Sequence, residues 1–469
     1  MNVDLTHGSI FRGLLRFSLP LMAGNLLQQL YNLVDTFVVG RYCGEIALAA
    51  VGSAFSVMIL LTSIVTGLCM GSGVVVSQLF GQKDDAGVRK AVGNAFVLIA
   101  GVSALLTILS YALLPVMMTL LRIPPEAQGV LSRYLLIVFV GIIPTFLYNF
   151  GACMLRAVGN STAPLVFLLI SSLTNVALDF LFVAVLPWGV AGAAVATIIG
   201  QLCGCALAIW FNHRKNTDIT LSLRGFRPDW RLIGEIYAIG LPSVIMVAIG
   251  SVMTFCMNKI LIAYHSAKET AATAFGIYFK LNSFIFMPVF GLNNGVVPIV
   301  AYNYGAQNRL RMVETIKRSA IYASCIMLVG MAVFWSIPGS LLKIFDATDT
   351  MLQVGVPALR IISLSFCMAG ACIALGSSFQ ALGKAVYSMT TSIIRQLVFL
   401  VPIAYVLARY GQSIGNDDLV WWSYPLAEIA SLFVTLAFFR RLYRTLIAPL
   451  PASGGAPVRD DSDDDPIGV

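Results

Sequence analysis

Charge is scarce in this chain. Only 11% of its 469 residues are Asp, Glu, Lys or Arg, about half the share found in ordinary soluble domains. With 58% hydrophobic residues and a mean hydropathy of +0.86, that shortage excludes a water-soluble globular protein. Histidine is scarcer still. His7, His213 and His265 are the full set, and each falls at the end of an apolar stretch or between two. A histidine-rich metal cluster or a Ser/His pair inside the membrane is therefore excluded, and with it an embedded enzyme of that kind. A proton relay, if there is one, must use carboxylates. The nine cysteines are an odd number without metal-ligand spacing, and Cys203 and Cys205 point to different helix faces. Free, buried thiols are expected. The opening "MNVDLTHGSIFRGLLRFSLP" has no apolar core followed by a small-residue cleavage site, so no removable signal peptide is read.

What fills the sequence is apolar runs of bilayer length. Twelve spans are read, near 14–39, 47–79, 91–115, 133–155, 164–186, 189–212, 236–263, 271–301, 316–337, 356–379, 386–408 and 419–440. The fold class expected is an all-α integral membrane protein. Basic residues gather on alternate loops: Arg12 and Arg16, Lys83 to Lys90, Arg156, Arg214 with Lys215, Arg224, Arg227 and Arg231, Arg309 to Arg318, Lys384, and Arg440 to Arg444. The other loops hold scattered ones such as Arg41, Arg122, Lys268 and Lys343. By the positive-inside rule the richer set, and both termini, face the cytoplasm. The net charge of +8 reflects this bias rather than a nucleic-acid partner. Residues 446–469, rich in proline, glycine and aspartate, read as a disordered acidic cytoplasmic tail.

The sequence also repeats itself. "LLRFSLPLMAGNLLQQLYNLVD" corresponds to "IYAIGLPSVIMVAIGSVMTFCM", which sets Pro20 against Pro242. Gly81 corresponds to Gly305, and Gly159 to Gly383, so the offset moves only from 222 to 224. Six spans return a chain to its starting side, so the two halves are parallel repeats: a lobe over 1–213, a basic linker over 214–235 and a second lobe over 236–445. Parallel repeats are a transporter architecture, with the cargo site at the repeat interface.

Few polar groups are left inside the spans. On the first, Asn25, Gln28, Tyr31, Asn32 and Asp35 share one face; Leu26, Leu30, Leu33 and Phe37 take the other. On the fifth, Ser171, Asn175 and Asp179 share a face, and Thr197 and Gln201 lie one turn apart on the glycine- and alanine-rich sixth. Such stripes must face protein or a water-filled cavity. If the three spans meet, Asp35, Asn175, Asp179 and Thr197 make an oxygen-rich pocket for a proton or a hard cation. Hydrogen bonds that merely hold helices together would use the same residues. The second half lacks the pocket, with Met257, Phe399 and Ile403 at the matching positions. It has Lys259, Lys280, Arg360, Arg395 and Glu428 instead, and Glu428 is expected to pair with Arg395, as a structural ion pair or in handling cargo or protons. Pro20 should permit a kink in the first span.

Over residues 10–445 the chain resembles the multidrug and toxic compound extrusion (MATE) transporters. The likeness rests on "FSLPLMAGNLLQQLYNLVDTFVVGR", "GSGVVVSQLFGQ", "LRAVGNS" followed by "TNVALD", and "GVVPIVAYNYGAQN". It implies V-shaped six-helix lobes and export of cationic or amphipathic compounds against inward flow of protons or sodium. It looks most similar to the DinF-like branch, whose cation site falls on Asp35, Asn175, Asp179 and Thr197, with Gln28, Tyr31 and Pro20 as supporting and gating residues. NorM-like acids in the seventh and tenth spans have no match here. The expected cargo cavity is lined by Tyr31, Asn32, Met253, Lys280, Phe286, Met287, Arg395 and Glu428. No cofactor is expected beyond the coupling ion, H+ or Na+, and a monomer in a bacterial-type plasma membrane is expected. A flippase for a lipid-linked oligosaccharide precursor is the alternative, and it would require a strongly basic central cavity.

Overall fold

The computed structural model of the chain describes residues 10–120, 125–214, 227–345 and 347–452. Helices are the only regular elements among them. In hydrocarbon the backbone has no water to bond, and a helix satisfies its own N–H and C=O groups. Ten helices are long and apolar enough to cross a membrane, and a pair bent by 50°, Asp349–Ser363 with Phe366–Ala381, makes an eleventh crossing. The remaining long rod is the first, Ile10–Cys43, whose polar stripe dilutes its apolar run. The twelve expected spans are therefore twelve rods.

In the first lobe, Ile10–Cys43 is followed by Glu45–Gly81, Asp85–Ala112, and a fourth rod broken by a 3-10 turn between Pro125–Val138 and Ile142–Ala157. The fifth, Thr162–Asp179, runs on into a π-helical turn at Phe180–Val185, and the sixth is Val190–Arg214. In the second lobe, Trp230–Tyr264, Lys268–Gly305 and Arg309–Ser336 precede the bent tenth rod. The eleventh joins Ala385–Ile393 to Val401–Ile414 through a π-helical stretch, and the twelfth is Ser423–Leu442.

The duplication reaches the backbone. Gly159 and Gly383 both adopt left-handed φ, +89° and +74°, and so do Lys83 and Gln307 at +58° and +54°. Each pair is separated by the sequence offset of 224. The third and ninth spans start with matching caps: the Asp84 side chain accepts from the Gly87 N–H, and the Asn308 side chain from the Arg311 N–H. Each cap satisfies an orphan donor of the first turn.

The expected boundaries shift where caps and contacts extend the elements. Asp229 accepts from the Arg231 and Leu232 N–H groups, so residues 230–235, expected as linker, open the seventh span. The Asp229 N–H is itself bound by Asn94 Oδ1 at 2.8 Å. Arg214 closes the sixth span, while Lys215, Arg224 and Arg122 fall outside the described residues. The tail also begins later than expected. A π-helical turn ends at Ile447, and residues 448–452 dock on the start of the ninth span. There the Arg309 and Leu310 N–H groups donate to the Pro451 and Ala452 carbonyls at 3.3 and 3.2 Å. Arg309 Nη1 donates to the Ala448 carbonyl at 2.9 Å. Residues 453–469 lie outside the described residues. All nine cysteines are free, but Cys69, Cys153, Cys205 and Cys372 alone are buried, and Cys325 is exposed on the ninth span.

The lobes meet along the side of the basic loops, where the first span packs on the eighth and the second on the seventh and eighth. Glycines let main chains touch there. A Cβ at Gly305 would strike the Gln78 carbonyl, one at Gly81 the Tyr302 carbonyl, and one at Gly67 would lie 2.9 Å from the Gly240 carbonyl. Small residues at such crossings replace side-chain interlock with backbone contact. At the opposite end His265, after the seventh span, is buried beside the turn preceding the twelfth. Its Nδ1 accepts the Ala267 N–H at 3.1 Å and stands 3.8 Å from Asp417 Oδ2, which accepts the Ser266 N–H at 3.0 Å.

The seam predicts that Gly305→Ala costs about 1–3 kcal/mol by overpacking, whereas Gly276→Ala, on the same helix with open space around it, changes stability by under about 0.5 kcal/mol. Thermal unfolding in detergent checks both. At His265, burial lowers the imidazole's proton affinity, with Asp417 and Asp418 pulling the other way. The fold thus favours the neutral ring, a contribution complete above its ordinary value of about 6.5 and lost as pH falls. Amide hydrogen exchange at residues 266–268, corrected for its intrinsic pH dependence, should become several-fold less protected between pH 7 and 5, and His265→Phe should remove that change.

Candidate ion and cargo site

The first, fifth and sixth spans pack together, and their polar stripes converge. Asp35 and Asp179 lie within hydrogen-bonding reach of each other. Asp179 is fully buried, and neither of its carboxyl oxygens finds a donor among the described residues; Asp35 Oδ1 is in the same position. Two ionised carboxylates only accept, so a contact between them needs a proton or a cation. Asn175, 4% exposed, donates through Nδ2 to Thr197 Oγ1 at 3.5 Å, and its own Oδ1 has no donor. Thr197 in turn donates to the Ala193 carbonyl at 3.0 Å. The orphaned oxygens of Asp35, Asn175 and Asp179 make a hard-donor set of the kind a proton or small cation takes.

Packing explains how the site is built. Gly200 on the sixth span lets the fifth approach so closely that an added Cβ would lie 2.9 Å from the Asn175 Cβ. Ser171 Oγ closes the same crossing with a 2.6 Å bond to the Gly200 carbonyl. The π-helical turn begins immediately after Asp179, and such turns often accompany functional sites in helices. Tyr31, with Gln28 as its hydrogen-bond neighbour, stands within electrostatic reach of both acids, and so does Tyr134. Tyr134 was not among the residues singled out from the sequence. A buried tyrosine hydroxyl on an apolar span was its only signal.

A cavity of about 350 Å³ opens nearby, lined by the first, second, fourth and fifth spans and by the seventh and eighth from the other lobe. Pro20, Asn25 and Gln28 line it, and Gln28 stands seven residues before Asp35, about 10 Å along the helix. The residues expected to line the cargo cavity are elsewhere. Tyr31 and Asn32 lie beyond it along the first span, with Asn32 Nδ2 donating to Gln29 Oε1 at 3.5 Å. Met253 is buried with its sulfur 3.9 Å from the Tyr424 hydroxyl. Lys280 Nζ lies 5.7 Å from the centre of the Phe345 ring, Phe286 packs edge-on against Phe366, and the Met287 carbonyl accepts from Asn25. Arg395 Nη1 faces Glu428 Oε1 at 3.6 Å. Met253 and Phe286 pack into the second lobe's core, and Met287 lies against the first span beside Asn25. The residues that do face the cavity, such as Ser63, Thr66 and Met70 on the second span, sit in a nearly uniform apolar run.

Twelve bilayer-length rods in two matching sets, with a cavity between them and a buried pair of acids in the first set, define a carrier of the membrane-embedded, internally duplicated class. Residues 20–181 and 242–406 each match the MatE family, and the chain belongs to that family. The two matched stretches fall one in each lobe. It is 26% identical over 433 residues to the multidrug export protein MepA of Staphylococcus haemolyticus, across 92% of this chain and 93% of that one. It is 26% identical over 407 residues to the probable multidrug resistance protein YpnP of Bacillus subtilis, across 87% and 90%. Among solved structures, the outward-facing conformation of a multidrug resistance MATE family transporter superposes with a TM-score of 0.86 at 23% identity, covering 95% of this chain and 98% of that one. A MATE structure in the bent conformation superposes at 0.85, also at 23% identity, covering 94% and 98%.

The buried ion pair of the second lobe gives a prediction. Removing one partner strands the other, so Glu428→Ala should destabilise the protein by about 3 kcal/mol, while Arg395→Met combined with Glu428→Leu should recover most of that loss. Thermal unfolding of the three variants in detergent measures it.

Proposed function

We propose that the chain is a secondary exporter that moves cationic or amphipathic organic compounds out of the cell in exchange for a proton or sodium ion bound between Asp35 and Asp179. The observation that carries this reading is the pair of facing carboxyl groups whose buried oxygens lack donors. An ion entering there cancels charge in a low-dielectric site and removes the repulsion between the two acids. The family match and the names of the relatives support export of drugs as the activity. The presence of the two-acid pocket in the first lobe alone favours the DinF-like branch. The protein works as a monomer in the plasma membrane, with the basic loops and both termini on the cytoplasmic side.

Coupling runs along the first span. Asp35 on one side and the cavity-lining Gln28 and Pro20 on the other belong to the same helix. Pro20 breaks a backbone hydrogen bond, which lets that helix bend. Loading the ion changes what the far end of the helix packs against, and the bend at Pro20 passes this to the cavity wall. Alternating access then follows from rocking of one lobe against the other. A lipid-linked sugar flippase fits less well, because Arg156 is the single charged residue lining the cavity.

Dye efflux from proteoliposomes under separately imposed pH and sodium gradients tests the proposal. One gradient should drive efflux. Asp35→Asn and Asp179→Asn should each lower gradient-driven efflux by at least about ten-fold, as expected for loss of an intramembrane coupling charge, at unchanged protein yield. Undiminished efflux in both variants overturns the mechanism.

A further inference from the structure

The interlobe cavity has one charged side chain, Arg156, and no carboxylate in its wall. Arg156, one of the basic residues expected on the cytoplasmic side, stands in the last turn of Ile142–Ala157 and lines the cavity. The ion pairs among the described residues are Arg231–Glu235, His265–Asp417, Arg318–Glu314 and Arg395–Glu428, so Arg156 has no acid partner there. A half-buried guanidinium without a counter-charge, in a space walled largely by apolar groups, is a site looking for an anion. Its planar fork suits a carboxylate through two parallel hydrogen bonds. Tyr148 stands within electrostatic reach of Arg156, and the same cavity wall holds the neutral polar Asn149 and Gln28 and the apolar Leu165 and Leu168. The volume of about 350 Å³ lies within the range that holds drug-sized molecules, about 300–1,000 Å³.

We propose that Arg156 anchors a carboxylate of the cargo, so that the compounds carried best are amphipathic organic acids and zwitterions. This rests on the export reading and narrows its substrate class. A purely cationic compound meets a like charge in this cavity and gains nothing from Arg156. A compound with an apolar body and a carboxylate pairs the one bare charge in the cavity and covers the leucines with its body. The other lobe contributes Ser243 and Asn294 to the same wall, so cargo held at Arg156 touches both moving parts.

The test compares a fluorescent fluoroquinolone carrying a free carboxylate with its methyl ester, which keeps the ring system and loses the acid. Full-length protein in proteoliposomes should transport the acid with a KM about ten-fold below that of the ester, the difference expected from one charge-assisted bidentate contact. Arg156→Gln should raise the KM of the acid to that of the ester and leave the ester unchanged; Arg156→Lys should fall between. If Arg156→Gln is not recovered folded, the acid-to-ester ratio in Arg156→Lys decides, and an unaltered ratio overturns the proposal. So does an equal effect of Arg156→Gln on both compounds. Equilibrium binding, followed through quenching of protein fluorescence, separates this proposal from the export reading. Tighter binding of the acid without gradient-driven transport upholds the anchor and fails the exporter. Equal binding of acid and ester overturns the anchor.

Discussion

Two carboxyl groups facing each other in an apolar bundle, with no donor for their buried oxygens, are the constraint around which the first lobe is arranged. Two ionised carboxylates so placed repel each other, and a shared proton or a bound cation relieves that repulsion. The polar stripe that leads to Asp35 dilutes the first span, which alone of the long rods among the described residues does not pass as a bilayer crossing by composition. The site accounts as well for the sixth span's small residues, since only a close crossing at Gly200 brings Asn175 and Thr197 to the same spot. Leucines at 30 and 33 turn outward, more than half exposed, where lipid would receive them. Each local choice serves the enclosure of one charge-bearing spot.

The second lobe shows what the same scaffold becomes without that constraint. It keeps the caps, the left-handed glycines and the interior proline at Pro242. Met257, at the position matching Asp35, is fully buried. Aromatic side chains fill the lobe's interior: Phe275, Tyr278 and Tyr424 stack and cross around Trp421. Its buried charges neutralise each other locally at Arg395 and Glu428. One copy of the fold is therefore a polar, two-acid unit, and the other is a packed support. The seam between them is main chain against main chain, at Gly81 and Gly305. Small residues there let the two backbones approach closely.

Much of this was legible in the residues. Periodic apolar runs gave the number of rods, and the recurring offset gave two halves. Helical spacing alone placed Asn175 and Asp179 on one face, and that face is buried. The misreadings have physical sources. Breaks inside spans, such as the 50° bend after Ser363, arise from tertiary packing and leave little trace in composition. Cavity lining leaves little trace in a sequence because methionine and phenylalanine serve cores and clefts alike. A basic residue at a span end reads as a sidedness signal, and nothing in the sequence marks that Arg156 also lines the gap between the lobes. Tyr134 escaped notice because a lone tyrosine on an apolar span has no periodic partner to mark it.

The two ends of the described chain meet the same rod. Phe11 packs edge-on against Tyr322, and Ala452 accepts from the Leu310 N–H. Twelve residues of the ninth span separate those attachment points, about 18 Å along its axis. About six extended residues cover that gap. Joined there, the polypeptide would form a ring, and cutting the ring between Arg214 and Trp230 would exchange the order of the halves while leaving every helix crossing in place. Which lobe is synthesised first is thus a matter of where the ring is opened, independent of the architecture itself.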